Sequence, residues 1–488
     1  MHDFTRYVNP HLGKLLEQVA MDKTYTRGEG PYLFDAAGNR YLDFIAAYGA
    51  LPFGYNPPEI WEALVGVRDT GEPSFTQPSA LAAAGELARR LIEVAPPGLE
   101  LVTFTNSGAE TVEAAIKMAR SATGRLGILS ATNSFHGKTL GALSATGREY
   151  YQMPFGAPVE FFKSIPYDDL AALERELETD GALYAAFIVE PIQGEGGIVV
   201  PSPGYLSGAR ELCRRFGVLF ILDEIQTGLG RTGTLFACEA ESVSPDMLLL
   251  AKALGGGIYP IGACLSTRAA YTRDFGDRHS STFAANTPAC RIGLKVLDML
   301  TRDGRALVTR VRENGRRLKS ALETLQDRYP RILRGVRGRG FMLGLEFRMN
   351  RSDFPNCLLS VLAEQDNLTP LISSWLLNAE GLRVAPTLNG NAVIRLEPSL
   401  TVTPEQCDAA VQALEKVLAL LDAGNTLEII RPVLGMDVPV ARPPARVAVS
   451  SWERYRPSGD PREGRFAFLQ HTLDLCNYLQ VEPRLQKT

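Results

Sequence analysis

The sequence predicts an α/β protein built on a mostly parallel sheet with helices on both faces. Three observations point there. Between about Leu101 and Ala263, short apolar runs alternate with helical stretches, the pattern of βαβ units. Runs such as residues 218–222 and 247–251 are apolar without interruption, as strands buried on both faces are. Several runs end abruptly in acids, a lysine or glycines, and ligands of open α/β sheets bind at the carboxyl ends of strands.

The elements follow in chain order. Residues 12–21 carry the spacing of a short amphipathic helix. The segment PYLFDAAGNRYLDF alternates, and Asp35 with Gly38-Asn39 supplies turn chemistry, so residues 32–44 are expected to form a hairpin. Residues 78–94 read as a helix and 101–105 as a strand. Asn106-Ser107-Gly108-Ala109-Glu110 then opens a helix. Its free N–H groups, the close approach allowed by Gly108 and the Ser107 hydroxyl suit a phosphate. The same residues also fit an ordinary N-cap. A strand over 128–130 and a polar loop over 133–140 come next, then a strand over 184–189 that ends near Glu190 and Glu195. Helices are expected over 204–216, 287–300 and 303–329. The glycine-rich residues 336–344 have GxGxxxG spacing, no strand before them and one after. They read as an edge turn of a small antiparallel sheet, not as a dinucleotide loop. Arg395 sits within an apolar strand at 393–398, a pattern shared with snorkelling surface arginines. Residues 404–421 form a closing helix.

Composition bounds the function. At 488 residues the chain has room for two or three domains, and 45% hydrophobic with 22% charged residues is ordinary for a globular protein. A net charge of −4 weighs against nucleic-acid or anionic-membrane partners. No apolar run approaches the ~20 residues of a membrane span, and MHDFTRYVNP lacks a signal-peptide core. The seven cysteines are scattered without CxxC spacing, which fits a reducing cytoplasm and no zinc site. From Asn425 the chain turns Pro- and Arg-rich, then ends in the more apolar RFAFLQHTLDLCNYLQVEPRL. This tail reads as a linker or arm, or as the start of another module of a longer fused enzyme.

The chemistry concentrates between residues 218 and 257. The run 218–222 stops at Asp223 and Glu224, a polar Gly-rich loop spans 226–233, and the run 247–251 delivers Lys252 into three glycines. An acid and a lysine at the ends of buried segments are costly unless used or paired. Pyridoxal phosphate accounts for both. It needs a lysine amine to hold its aldehyde as a Schiff base and a carboxylate to keep its ring nitrogen protonated. Either residue alone fits a buried salt bridge or a loop lysine; Asp223 and Lys252 together favour the cofactor.

LDEIQTGLGRTG followed by LAKALGGG resembles the class III (subgroup II) aminotransferases of fold type I, as do NSGAE, SFHGKTLGALSATG, EPIQGEGG and IRLEPSLTVTPEQC. The likeness runs over about residues 24–423. It implies a large cofactor-binding domain at 56–305 with a seven-stranded, mostly parallel sheet. A smaller α+β domain would come from both chain ends, 1–55 and 306–423, leaving 424–488 as an extension. It implies a transaminase in which Lys252 holds pyridoxal 5′-phosphate, Asp223 serves its ring nitrogen and Gln226 its ring hydroxyl. Phe135 would stack on the ring with His136 at its edge, and Ser107, Gly108 and Ala109 would hold the phosphate. Residues 46–57 would reach the active site, where Gly54-Tyr55 replaces a common Gly-His pair and alters the pocket. Thr282 would serve the phosphate of the facing subunit in a homodimer with composite sites, although Ala284-Ala285 stand where glycines are usual. Arg395 would grip the carboxylate of a 2-oxo acid, and Glu195 would pair with it when the amine lacks one. PSPGYL, LFACE and the C-terminal motif are most similar to the putrescine aminotransferase group, implying a diamine or ω-amine donor with glutamate and 2-oxoglutarate as the partner pair. Ornithine- or acetylornithine-type transaminases, racemases and aminomutases share these motifs, and the tail admits a non-catalytic module of a larger assembly.

Overall fold

The computed structural model describes residues 2–350, 353–354, 358–390 and 392–436. The tail from residue 437, including the Pro- and Arg-rich stretch and the apolar segment after it, lies outside the described residues. Among them, three sheets organise the chain. The first begins with β1 (Tyr25–Glu29), β2 (Tyr32–Asp35) and β3 (Arg40–Asp43). The expected hairpin is β2–β3, pairing Tyr32 with Leu42 and Phe34 with Arg40. Asp35 closes its turn by accepting from the backbone N–H groups of Ala37 and Asn39. β1 was not legible as a strand because YTRGE has no apolar alternation.

The central sheet comprises β4 (Leu101–Thr105), β5 (Gly127–Ala131), β6 (Phe162–Ile165), β7 (Tyr184–Val189), β8 (Leu219–Asp223), β9 (Met247–Leu250) and β10 (Gly262–Ser266). Their order is β4-β10-β9-β8-β7-β5-β6. All pairs are parallel except those of β10, which runs antiparallel to both β4 and β9. Every residue of β5, β7, β9 and β10 is buried, as the unbroken apolar runs demand. The carboxyl ends of β4, β7, β8 and β9 therefore open on one edge, and Asn106, Glu190, Asp223 and Lys252 sit on or just after them.

The third sheet joins β11 (Leu333–Arg339), β12 (Met342–Phe347), β14 (Ala385–Pro386) and β15 (Val393–Leu396), while β13 (Leu382–Arg383) adds to the first sheet beside β3. The glycine-rich segment is thus corrected: a strand does precede the turn, and β11 runs through Gly335 and Gly338 to turn at Gly340. Gly340 has φ +57°, and a Cβ there would meet the Thr232 backbone at 2.4 Å.

Helix ends moved for local reasons. The first α-helix spans Pro10–Gln18 rather than 12–21, because Asn9 accepts from the Leu12 N–H and Pro10 presets the first turn. The helix expected over 78–94 begins at Ala82. The helices expected over 287–300 and 303–329 lie within one run, Thr287–Arg328, broken by non-helical residues Arg302–Arg305. Residues 424–436, expected to belong to the extension, continue the packed structure. A short helix, Thr426–Ile430, follows Asn425, and Ile429, Ile430 and Val433 join the core of the preceding helix. No described helix is long and apolar enough to cross a membrane.

Candidate active site

One cleft of about 600 Å³ opens at this edge of the central sheet. Its walls include Ser107, Gly108, Ala109, Phe135, His136, Asp223, Gln226 and Lys252, eight of the residues singled out from the sequence. Ala47, Ala50 and Leu51 reach it from the segment 46–57. Tyr55 does not line it. Its hydroxyl instead donates to Asp43, which also pairs with Arg383, so the Gly54-Tyr55 replacement acts within the first sheet.

The amino end of helix Gly108–Thr123 faces the cleft, and Ser107 caps it by accepting from the Glu110 N–H at 3.2 Å. Glu110 returns the contact, accepting from the Asn106 N–H at 2.7 Å. Both the N-cap and the phosphate readings therefore hold: the cap consumes a lone pair of the Ser107 oxygen and leaves its hydroxyl proton free to donate. Ile225 lies against Gly108, where a Cβ would meet its side chain at 3.1 Å.

Asp223 is buried. One carboxylate oxygen is 2.7 Å from His136 Nδ1 and the other accepts from the Ile225 N–H at 3.1 Å. His136 Nε2 is buried without a protein partner. The sequence placed His136 beside a ring but not on this carboxylate. Glu224, the neighbouring acid, turns the other way and accepts from Thr227 and from the N–H groups of Ala237 and Cys238, so it braces the loop. Glu190 accepts from the N–H groups of Phe135 and Gly194; burial, reinforced by Asp223, pushes its carboxyl up to about 7 against the pull of His136 and those bonds.

Lys252 adopts φ +40°, a left-handed conformation that is strained for a side chain and concentrates at functional sites. Among the described residues its amine forms no ion pair within 4.0 Å. Burial lowers its pKa, opposed by Glu397, Glu195 and Asp223.

Arg395 is fully buried behind the cleft. Glu195 takes both of its terminal nitrogens, one at 2.7 Å, and the Tyr48 ring lies 5.0 Å from its guanidinium carbon. The snorkelling alternative is thereby overturned. Burial works against both charges, but the pairing outweighs it, holding Glu195 below and Arg395 above their ordinary values. Glu397, which sequence reasoning missed, stands 3.6 Å from Arg395 and accepts from Gln226 Nε2 at 3.0 Å with both oxygens. The signal was present: residues two apart on a strand share a face. Thr282 lies outside the cleft and is exposed, as is Phe283 beside it.

Residues 17–418 match the aminotransferase class-III family. The chain belongs to that family. This aminotransferase is 37% identical over 433 residues to the putrescine aminotransferase of Pectobacterium atrosepticum, covering 86% of this chain and 88% of that protein. It is 42% identical over 351 residues to the aminotransferase PigE of a Serratia strain, covering 70% of this chain but only 40% of PigE. The solved ornithine aminotransferase of Toxoplasma gondii superposes with a TM-score of 0.73 at 32% identity, covering 83% of this chain and 92% of that one. The cofactor of this aminotransferase is pyridoxal 5′-phosphate. The cleft fits it: a free helix amino end for an anion, an unpaired amine at Lys252 and an anchored buried carboxylate at Asp223.

Proposed function

We propose that the chain transfers the amino group of a diamine or other ω-amine to a 2-oxo acid, with glutamate and 2-oxoglutarate as the partner pair. The observation that carries this is the closed pair of Arg395 and Glu195. With its cation already satisfied, the site suits a donor that brings no α-carboxylate. A 2-oxo acid would displace Glu195 and take the same bidentate fork. The similarity to a putrescine aminotransferase supports the donor class.

Bound in the cleft, the cofactor supplies an electron sink for charge at the substrate carbon beside nitrogen. Ser107 and the amides of Gly108 and Ala109 would hold its phosphate, and Phe135 would cover the ring. Gln226, whose amide nitrogen is committed to Glu397, would offer its oxygen to the ring hydroxyl. Lys252 would bond the aldehyde carbon and, once freed, move the proton from the substrate carbon; a lowered pKa raises the share of basic amine at neutral pH. Asp223, oriented by His136, would keep a proton on the ring nitrogen.

A screen of amine donors scored by glutamate formed from 2-oxoglutarate tests the reading. A racemase or aminomutase would give none. Arg395→Ala is expected to raise KM for 2-oxoglutarate by about 100-fold, the loss of a buried bidentate pair. The half-reaction with a simple amine should stay nearly intact, and rapid-mixing absorbance of each half-reaction separates the two. Equal loss in both would count against the assignment.

The working unit in this reading is a homodimer with composite sites. Thr282 faces outward from its own cleft beside Phe283, which is 68% exposed, and a second copy would bring that loop to a neighbouring phosphate. Light scattering on active enzyme should give at least two 53.2 kDa chains per particle. An active monomer would exclude it.

A further inference from the structure

Gln226, Arg395 and Glu397 come from two distant parts of the chain and meet behind the cleft. Arg395, Glu195 and Glu397 are all buried, so one guanidinium faces two carboxylates away from solvent. The two carboxylates are held differently. Glu195 sits in the loop after β7, tied to Arg395 and to the Leu388 N–H. Glu397 directly follows β15, and both of its oxygens accept from Gln226 Nε2 at 3.0 Å. Its own backbone N–H is fixed on the carbonyl of Phe44 at 2.7 Å. The nearby buried cation Arg231 spends one terminal nitrogen on the carbonyls of Phe341 and Pro398 and forms no ion pair with Glu397 within 4.0 Å among the described residues.

We propose that Glu397 is a specificity-determining residue: a fixed carboxylate that stays beside Arg395 when Glu195 is displaced, weakening the grip on a substrate carboxylate and favouring a donor that carries a second ammonium. The proposal rests on the transaminase reading above. Its physical basis is simple. A carboxylate arriving at Arg395 meets a like charge that cannot move away, and an ammonium arriving there meets an anion whose nearest cation, Arg395 at 3.6 Å, is shared with Glu195, while Arg231 and Lys252 act on it without an ion pair within 4.0 Å among the described residues. In a buried site such pairwise terms are screened far less than in water. Glu195 alone would act as a switch between the two substrate classes. Glu397 sets where that switch is biased.

The test uses the holoenzyme of Glu397→Gln, which keeps an acceptor for Gln226 and removes the charge. Two readouts apply: the ratio of KM for butylamine to KM for butane-1,4-diamine, and the Kd of glutarate, a non-reacting dicarboxylate, by calorimetry. The ratio is expected to fall about tenfold and glutarate to bind about tenfold tighter, the size of one buried charge-pair difference. The visible absorbance of the bound cofactor should stay where it is. Unchanged glutarate binding with an unchanged ratio overturns the proposal. So does a parallel rise in both amine KM values with a shifted absorbance, because Glu397 would then act only by positioning Gln226. If Glu397→Gln does not fold, Glu397→Asp keeps the charge and should keep the diamine preference; its loss there would assign the effect to shape and overturn the proposal. Failure of the wild-type enzyme to form glutamate from any amine would sink the transaminase reading instead, and the glutarate measurement would still decide the role of Glu397.

Discussion

Replacing Lys252 with alanine is expected to lower turnover by about 10⁴-fold or more, the full contribution of a positioned proton carrier with the loss of covalent attachment added. In the wild type borohydride should bleach the visible absorbance and fix the cofactor onto one peptide; the variant should carry no such reducible link. Lys252 follows β9 directly, its backbone is held at φ +40°, and its amine lines the cleft without an ion-pair partner among the described residues. Burial lowers its pKa, so a larger share of the amine is unprotonated at neutral pH than for a surface lysine. A second lysine lines the same cleft. Lys138 is exposed, and its amine lies 5.5 Å from the Tyr151 ring centre. Lys138→Ala serves as the control and should keep the borohydride-fixed label. A label that survives Lys252→Ala and disappears in Lys138→Ala would reverse the assignment.

What the sequence could reveal followed from how each element is stabilised. β4 and β7 were read with their observed bounds because an apolar run between polar or glycine punctuation is the signature of a central strand. β6 was missed: FKSI is an edge strand with two exposed residues, and its pairing with β5 is decided by tertiary contact, not by pattern. The antiparallel sense of β10 was equally illegible, since GACLS is buried on both faces whichever way it runs. The glycines of β11 misled because Gly335 and Gly338 punctuate the sequence without ending the strand. Helix 426–430 was lost in a tail judged by its average composition, although Ile429, Ile430 and Val433 pack into the core. In the site, eight of the residues that line the cleft were found through their motifs. Their partners were not. The contact of His136 with Asp223 spans 87 residues and that of Gln226 with Glu397 spans 171, and no local spacing rule reaches that far.

Asp223 separates the charge of a site from its scaffolding. Asp223→Ala is expected to reduce turnover by about 10²–10³-fold, the scale of removing one preorganised electrostatic group. Lys252 remains, so some cofactor should still be held. The same change leaves His136 Nδ1 and the Ile225 N–H without their partner in a buried region, a cost of about 1–3 kcal/mol per group that should appear as a lower melting temperature. Asp223→Asn distinguishes the two effects. The amide oxygen can still accept from the Ile225 N–H or from His136, so much of the stability should return. The negative charge that would keep a proton on the ring nitrogen is gone, so turnover should stay low. Calorimetric melting and steady-state kinetics on the three proteins give the comparison directly. If Asp223→Asn recovers turnover to within about tenfold of the wild type, the carboxylate serves only to orient His136, and its proposed electrostatic role fails.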